Sequence, residues 1–346
     1  MTNKVATPAT TESPGVAAKG EVPAKTLERF AKGLNKFIKP EEKLALAVSG
    51  GPDSLALLVL AAAARPGKVE AATVDHALRD GSRKEAEDVA ALCKTLGVPH
   101  EILTLTWDEK PKTGIQARSR VKRYQALGEW AEKRGIGVLV TAHHANDQAE
   151  TLMMRLARGS GLRGLAGMRR IRSLPNSSLR IARPLLKWTR PMLEKLCEVT
   201  GLTPAADPSN EDRQFERVRV REFLAGADWL DPKKLAKTAS NIGQADAALR
   251  WSAQQEWGRR VTETGDKTMF DASGLPPELG RRIVRSIINK MKTEGKALDL
   301  RGRELDTVLK MLKRGRKVTL RGVLCSGGPS WTFKKAPARA KVAEDA

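Results

Sequence analysis

Apolar and polar positions along the chain follow two alternating periods. From Thr26 onward, short and almost continuously apolar runs are separated by longer segments with helical spacing. The pattern predicts an amphipathic helix at 27–37, a strand at 43–48, a helix at 54–64 and a strand at 69–74. A helix at 82–96, a strand at 100–105, a helix at 115–134 and a strand at 138–141 follow. Strands this apolar, each followed by a helix, imply an α/β fold: a parallel sheet covered by helices on both faces, with its chemistry in the loops beyond the strand C-termini.

After Asn146 the pattern becomes mainly helical and basic, punctuated at 173–178 and 204–210. Four segments are expected: a flexible tail at 1–24, an α/β catalytic domain at 25–224, a smaller and mainly helical C-terminal domain at 225–336 with β-like pieces at 317–324 and 331–334, and a frayed end at 337–346. The tail has no continuous apolar stretch of the kind a secretory signal needs, and it carries Glu12 and Glu21, so a cytoplasmic location is expected.

Charge narrows the partners. Among 346 residues, 62 Lys and Arg face 40 Asp and Glu, giving a net charge of +22. An excess of this size concentrates polyanions and releases their counterions, so nucleic acid is the expected partner, bound with a steep salt dependence. The longest apolar run, 55–64, falls well short of the ~20 residues of a membrane span. Cys93, Cys197 and Cys325 form no CxxC pair, which removes the usual spacing of a zinc or iron–sulfur site.

The sharpest local signal is Ser49-Gly50-Gly51-Pro52-Asp53-Ser54, set between the first strand and its helix. Paired glycines let backbone N–H groups approach an anion at a helix N-terminus, and the two serines add hydroxyl donors. No GxxxxGK[ST] occurs, so this is not a Walker A loop. The hexapeptide resembles the pyrophosphate-binding loop of PP-loop (N-type) ATP pyrophosphatases, of HUP-like fold, which cleave ATP between the α and β phosphates and leave AMP. Asp53 is suited to binding Mg²⁺ beside the phosphates. Gly159-Ser160-Gly161-Leu162-Arg163-Gly164 matches GxGxxG but follows a helical stretch, so it reads as a basic loop and not as a dinucleotide fingerprint.

The fourth strand runs into Ala142-His143-His144-Ala145-Asn146-Asp147-Gln148-Ala149-Glu150-Thr151. Asn146 can cap the next helix, with Asp147 and Glu150 at its positive end, but capping leaves two adjacent histidines unexplained. With Arg155-Leu156-x-Arg158 and the glycine-rich run to Met168, this segment resembles the hallmark of the tRNA(Ile)-lysidine synthetases. Val74-Asp75-His76-Ala77-Leu78-Arg79, Ala117-Arg118 with Arg123-Tyr124, Arg183-Pro184-Leu185-Leu186 and Asp207-Pro208-Ser209-Asn210 follow that family's order, so the likeness covers about 42–221.

The resemblance implies attachment of L-lysine to C2 of the wobble cytidine of an isoleucine tRNA with a CAU anticodon, using ATP and Mg²⁺. It places pyrophosphate on Ser49, Gly50, Gly51, Pro52, Asp53 and Ser54, and Mg²⁺ on Asp53 and Asp147. The nucleoside would lie against Val74 and His76, with Arg118 facing the phosphates and His143 and His144 near the reacting groups. Two departures stand out: Asn146 where the family commonly has an acid, and Val218 where its Phe-x-Arg-Asn-x-x-Arg stretch has an amide. A PP-loop tRNA thiolase, or a basic RNA-binding module without catalysis, would share parts of this pattern.

Overall fold

The computed structural model describes residues 20–77, 82–107, 115–174, 177–205, 214–291, 300 and 302–337, with 115–117 as backbone only. The tail before residue 20, Leu78-Arg79, Asp207-Pro208-Ser209-Asn210 and the chain end from residue 338 lie outside them. The chain forms two compact units. One runs to Gly159 and from Ala166 to Ser240; the other comprises 160–165 and the chain from Asn241. The division falls inside a helix, later than the 224/225 boundary expected from composition.

The first unit repeats the alternation read from the sequence. It contains α1 (Ala24–Leu34), β1 (Leu44–Ala47), α2 (Pro52–Ala64), β2 (Val69–Asp75), α3 (Ser82–Thr95), β3 (His100–Thr104), α4 (Ile115–Lys133), β4 (Val138–Val140) and α5 (Ala145–Ala157). After the single turn α6 (Leu162–Leu165) come β5 (Ile171–Ser173), β6 (Arg180–Ala182), α7 (Arg190–Val199), α8 (Glu216–Gly226) and the long α9 (Pro232–Arg260), which crosses the division. The sheet order is β3-β2-β1-β4-β6-β5. All neighbours are parallel except the edge pair β5 and β6. That pair borders the punctuation expected at 173–178 and was not expected as strands, because three-residue strands carry too little periodicity to read.

Apolar burial explains the layers. Leu44, Leu46, Val138 and Val140 pack with α2, whose residues 54–61 are all buried. On the other face Leu127, Trp130 and Ala131 of α4 cover Ala45, Ala72 and Leu139. The strand order reverses at β1, which sits between β2 and β4, so the crevice at the C-terminal ends of β1 and β4 is the topological switch point where such sheets bind ligands.

The second unit combines helices with a sheet, whose strands include the β-like pieces expected at 317–324 and 331–334. Its strands are β7 (Val261–Thr264) and β8 (Lys267–Phe270), then β9 (Lys317–Leu320), β10 (Val323–Ser326) and β11 (Trp331–Lys335). They form an antiparallel sheet in the order β7-β8-β11-β10-β9. Helices α10 (Pro277–Met291) and α11 (Gly302–Lys313) bury Ile283, Val284, Ile287, Leu305 and Val308 in the same core as Phe270 and Phe333.

Candidate active site

The turn after β1 is held open by its own hydroxyls. Ser54 Oγ accepts from Ser49 N (3.1 Å) and donates to the Gly51 carbonyl (2.9 Å). Gly50 has φ +82°, a conformation that suits glycine. Gly51 is the N-cap of α2, and a Cβ there would meet nothing within 4 Å. The turn therefore presents bare backbone at a helix N-terminus, the arrangement that binds phosphate. Behind it, Cys197 Sγ lies 3.3 Å from the Pro52 carbonyl and Ala205 N donates to the Gly50 carbonyl.

Across the switch point, the loop after β4 faces this turn. His144 Nε2 is 3.2 Å from Asp53 Oδ2 and 3.7 Å from Asp147 Oδ2, so the two predicted carboxylates flank one imidazole edge. His144, and not Asn146, caps α5. Its Nδ1 accepts from Asn146 N, and Asp147 accepts from His144 N at 2.9 Å, completing a capping box. The helix begins two residues earlier than a cap at Asn146 would allow, which frees the Asn146 side chain to accept from Arg190 N at 3.0 Å.

The adjacent histidines have opposite electrostatics. Burial disfavours a charged His144, but the Asp53 hydrogen bond and the charges of Asp147, Asp53 and Glu150 outweigh it and raise its pKa. His143, hydrogen-bonded to Thr141 Oγ1 at 2.8 Å, is held well below the ordinary value by burial and by Arg183, Arg120, Arg217 and Arg123. A raised pKa makes the His144 contribution to stability complete below the ordinary value and lost as pH rises through the shifted one. The depressed pKa of His143 makes its contribution complete above the ordinary value and lost as pH falls. Of the four histidines, we therefore expect His144 alone to titrate above 6.5 in a side-chain ¹⁵N NMR titration, with His76, His100 and His143 below it. A His143 that is protonated near neutrality would contradict this assignment.

Asp53 Oδ1 is buried without a hydrogen-bond partner, the condition a cation would relieve. Asp147 is engaged at both oxygens, by His144 N and by Arg217 Nη2 (2.9 Å). Arg217 Nε also meets Glu150 at 2.5 Å, and Arg221 Nε meets its other oxygen at 2.9 Å. These arginines lie one turn apart on α8 and match carboxylates three apart on α5. The Glu150 side chain, only 3% exposed, is the buried member of the set. Sequence reasoning placed Glu150 only at the helix end, because its partners lie 67 and 71 positions away.

A second cluster was also missed as a unit. Arg120 and Arg123 lie over the Tyr124 ring at 5.1 and 5.6 Å, and buried Arg183 acts on the same histidine as both. Arg118 is exposed on the same helix. Val74 lies in β2, His76 follows its last residue, Asp75, and His76 Nδ1 is buried without a partner. Asp75 shapes that turn by accepting from Ala77 N (2.9 Å) and Ser82 Oγ (2.6 Å). In the glycine-rich run, Gln148 makes paired bonds to the Met168 backbone (2.6 and 2.9 Å). Gly167, at φ +65°, leaves Gln148 the space that a Cβ would occupy at 2.5 Å. Arg158 is paired with Glu216.

All three cysteines are buried. Desolvation pushes the Cys93 and Cys325 thiols up to about 12 and that of Cys197 to about 11, away from thiolate chemistry. No helix among the described residues is long and apolar enough to cross a membrane.

Known proteins bear on this geometry in three ways. The chain is 42% identical over 302 residues to a tRNA(Ile)-lysidine synthase of Zymomonas mobilis, covering 87% of this chain and 90% of the relative. It is 42% identical over 302 residues to the protein of that name from Novosphingobium aromaticivorans, covering 87% and 91%. Among solved structures, U34-tRNA thiolase NcsA from Methanococcus maripaludis aligns with a TM-score of 0.53 at 19% identity over 64% of this chain and 79% of its own, which is a likeness of fold alone. A PP-loop domain family matches residues 24–227, the span that carries the turn, the histidine pair and the arginine clamp. On that match and on relatives that span nearly the whole of both sequences, the chain belongs to the tRNA(Ile)-lysidine synthase family of PP-loop proteins.

Proposed function

We propose that this chain joins L-lysine to C2 of the wobble cytidine of tRNA(Ile) with a CAU anticodon, through an adenylated cytidine, releasing AMP and pyrophosphate. The observation that carries the reading is the meeting, at the β1/β4 switch point, of an open phosphate-binding turn with the Asp53, His144 and Asp147 set. Cytidine O2 attacks the α-phosphorus and the bond to pyrophosphate breaks. The lysine ε-amine then adds at C2 and AMP departs with the O2 oxygen.

The residues divide this work. The Ser49–Ser54 turn receives the pyrophosphate at the α2 N-terminus, where amides and dipole stabilise its charge. Asp53, with its unsatisfied buried oxygen, would hold the Mg²⁺ that accompanies ATP, and Asp147, already engaged at both oxygens, would add its negative charge beside it. When bound, that ion neutralises charge on the departing phosphates. His144 orients both acids from the helix cap. His143, kept neutral by its basic surroundings, can hydrogen-bond to a reacting group but is too weak a base to hold the proton of the lysine ammonium, which must enter as the neutral amine. Arg120, Arg123 and Arg183 supply positive charge for the adenylate, with Arg118 on the approach from solvent, and Val74 and His76 border the nucleoside.

The thiolase reading would need a cysteine able to handle sulfur, and the three thiols here are buried and protonated. The test supplies ATP, Mg²⁺ and labelled lysine with transcripts of tRNA(Ile) bearing CAU and of methionine tRNA with the same anticodon. Label is expected on the former alone. Label on neither transcript would defeat the reading, and equal label on both would defeat its specificity.

A further inference from the structure

A cleft of about 380 Å³ lies in the first unit among residues that take no part in the chemistry above. Six cations line it: Lys25, Arg29 and Lys32 of α1, Lys36 in the turn just after it, and Arg170 and Lys187 from across the gap. Glu28 is the one acid in its wall. The α1 cations recur at intervals of four and three residues and so share one helical face, while Phe30 and Leu34 on the other face are buried in the core. Arg29 lies over the Trp188 ring, 4.4 Å from its centroid, and donates to the Lys187 carbonyl at 3.2 Å.

These charges converge where a solvated basic face would let them spread. Lys187 has its pKa pushed down by Arg170 first, then by burial and by Lys36. Among the described residues, Lys25, Lys32, Lys36, Arg170 and Lys187 form no ion pair with a carboxylate. Mutual repulsion of this kind is relieved by an anion. From Lys25 to Lys32 the helix rises about 10 Å at ~1.5 Å per residue, longer than a single phosphate group. That length matches several successive charges of a nucleic-acid strand, spaced at about 3.4 Å of rise. The face offers no fully exposed aromatic or apolar anchor of the kind that membrane-surface helices insert, since Phe30, Leu34 and Trp188 are buried and Phe37, also in the wall, packs half-buried against the core.

The cleft is also tied to the reaction centre through the backbone. The Trp188 carbonyl accepts from Ala145 N at 2.7 Å, at the first residue of α5, and Arg190 N donates to Asn146. The Arg170 carbonyl accepts from Arg183 N at 2.7 Å. We propose that this cleft is a second RNA site, separate from the reaction centre, which grips consecutive backbone phosphates of the tRNA and fixes its register while the wobble base is in place. The inference rests on the functional reading above in taking tRNA as the RNA.

The test compares wild type with the triple variant Lys32→Ala, Lys36→Ala, Lys187→Ala. Binding of the tRNA(Ile) transcript is measured by filter retention across a salt series, and steady-state pyrophosphate release is measured in parallel. Each lost phosphate contact flattens the plot of log K against log salt by about 0.7–0.9. We expect the slope to fall by about 2 and KM for tRNA to rise at least about tenfold, with KM for ATP and kcat at saturating tRNA within about twofold of wild type. An unchanged slope and an unchanged KM for tRNA would overturn the proposal, as would a loss of kcat with affinity intact, which marks a structural role. Sedimentation with phosphatidylserine vesicles that the variant loses while its tRNA binding stays intact would assign the cleft to membranes and overturn it too. The binding arm needs no turnover, so a wild type that binds tRNA without forming lysidine defeats the functional reading and leaves the cleft to be judged on the slope.

Discussion

Asp53→Ala should lower pyrophosphate release by about a hundredfold or more while leaving tRNA affinity within a few fold of wild type. The variant removes the buried oxygen that has no protein partner and the carboxylate that His144 Nε2 approaches at 3.2 Å. Two functions fail together: the acid offered to the ion beside ATP, and the principal contact raising the His144 pKa. The fold should survive, since Asp53 sits in the first turn of α2 and is partly exposed, and the helix is anchored by its buried run from Leu55 to Ala61. Rapid-quench measurement of pyrophosphate, alongside filter binding, separates the two quantities. A binding module would show no turnover to lose, and a variant with wild-type turnover would remove Asp53 from the mechanism.

Arg217→Ala should be the most destabilising single change near the site. Arg217 spans Asp147 and Glu150, and its removal strands one oxygen of each in a place where Glu150 is almost sealed from water. Breaking a buried pair by deleting one partner costs roughly 3–5 kcal/mol. Arg221 still holds the other Glu150 oxygen and Arg217 itself is partly exposed, so a loss of about 2 kcal/mol is expected. Lysine should restore little, because one ammonium cannot reproduce the fork across two carboxylates. Urea unfolding followed by circular dichroism checks this through a lowered midpoint, and an unchanged midpoint would show that the clamp between α5 and α8 contributes nothing to stability.

Much of the first unit was legible in the sequence because the signals agreed. Leu44 to Ala47 is a continuous apolar strand, Ser49 to Ser54 is a turn with glycines where the backbone needs them, and 55–61 is apolar all round as a buried helix must be. What escaped was short or distant. Ile171-Arg172-Ser173 and Arg180-Ile181-Ala182 are too brief for a period to show. The hairpin β7–β8 had a usable signal, Gly265-Asp266 between two alternating runs, but β7 follows α9 without a break and its start was hidden by the helix. Within the site, the placement of Asp53 and the histidine pair just beyond strand ends was readable from the sequence. The pairing of Arg217 and Arg221 with Asp147 and Glu150 was not, since spacing along each helix says which residues share a face and nothing about which helix lies opposite.

The central claim is that the turn after β1 holds the two outer phosphates of ATP and leaves the α-phosphorus to the RNA. Separating the nucleotide products after incubation with tRNA(Ile), lysine, Mg²⁺ and ATP labelled in the adenine tests it directly. The account predicts AMP in step with pyrophosphate and with lysine incorporated. ADP with orthophosphate would contradict it.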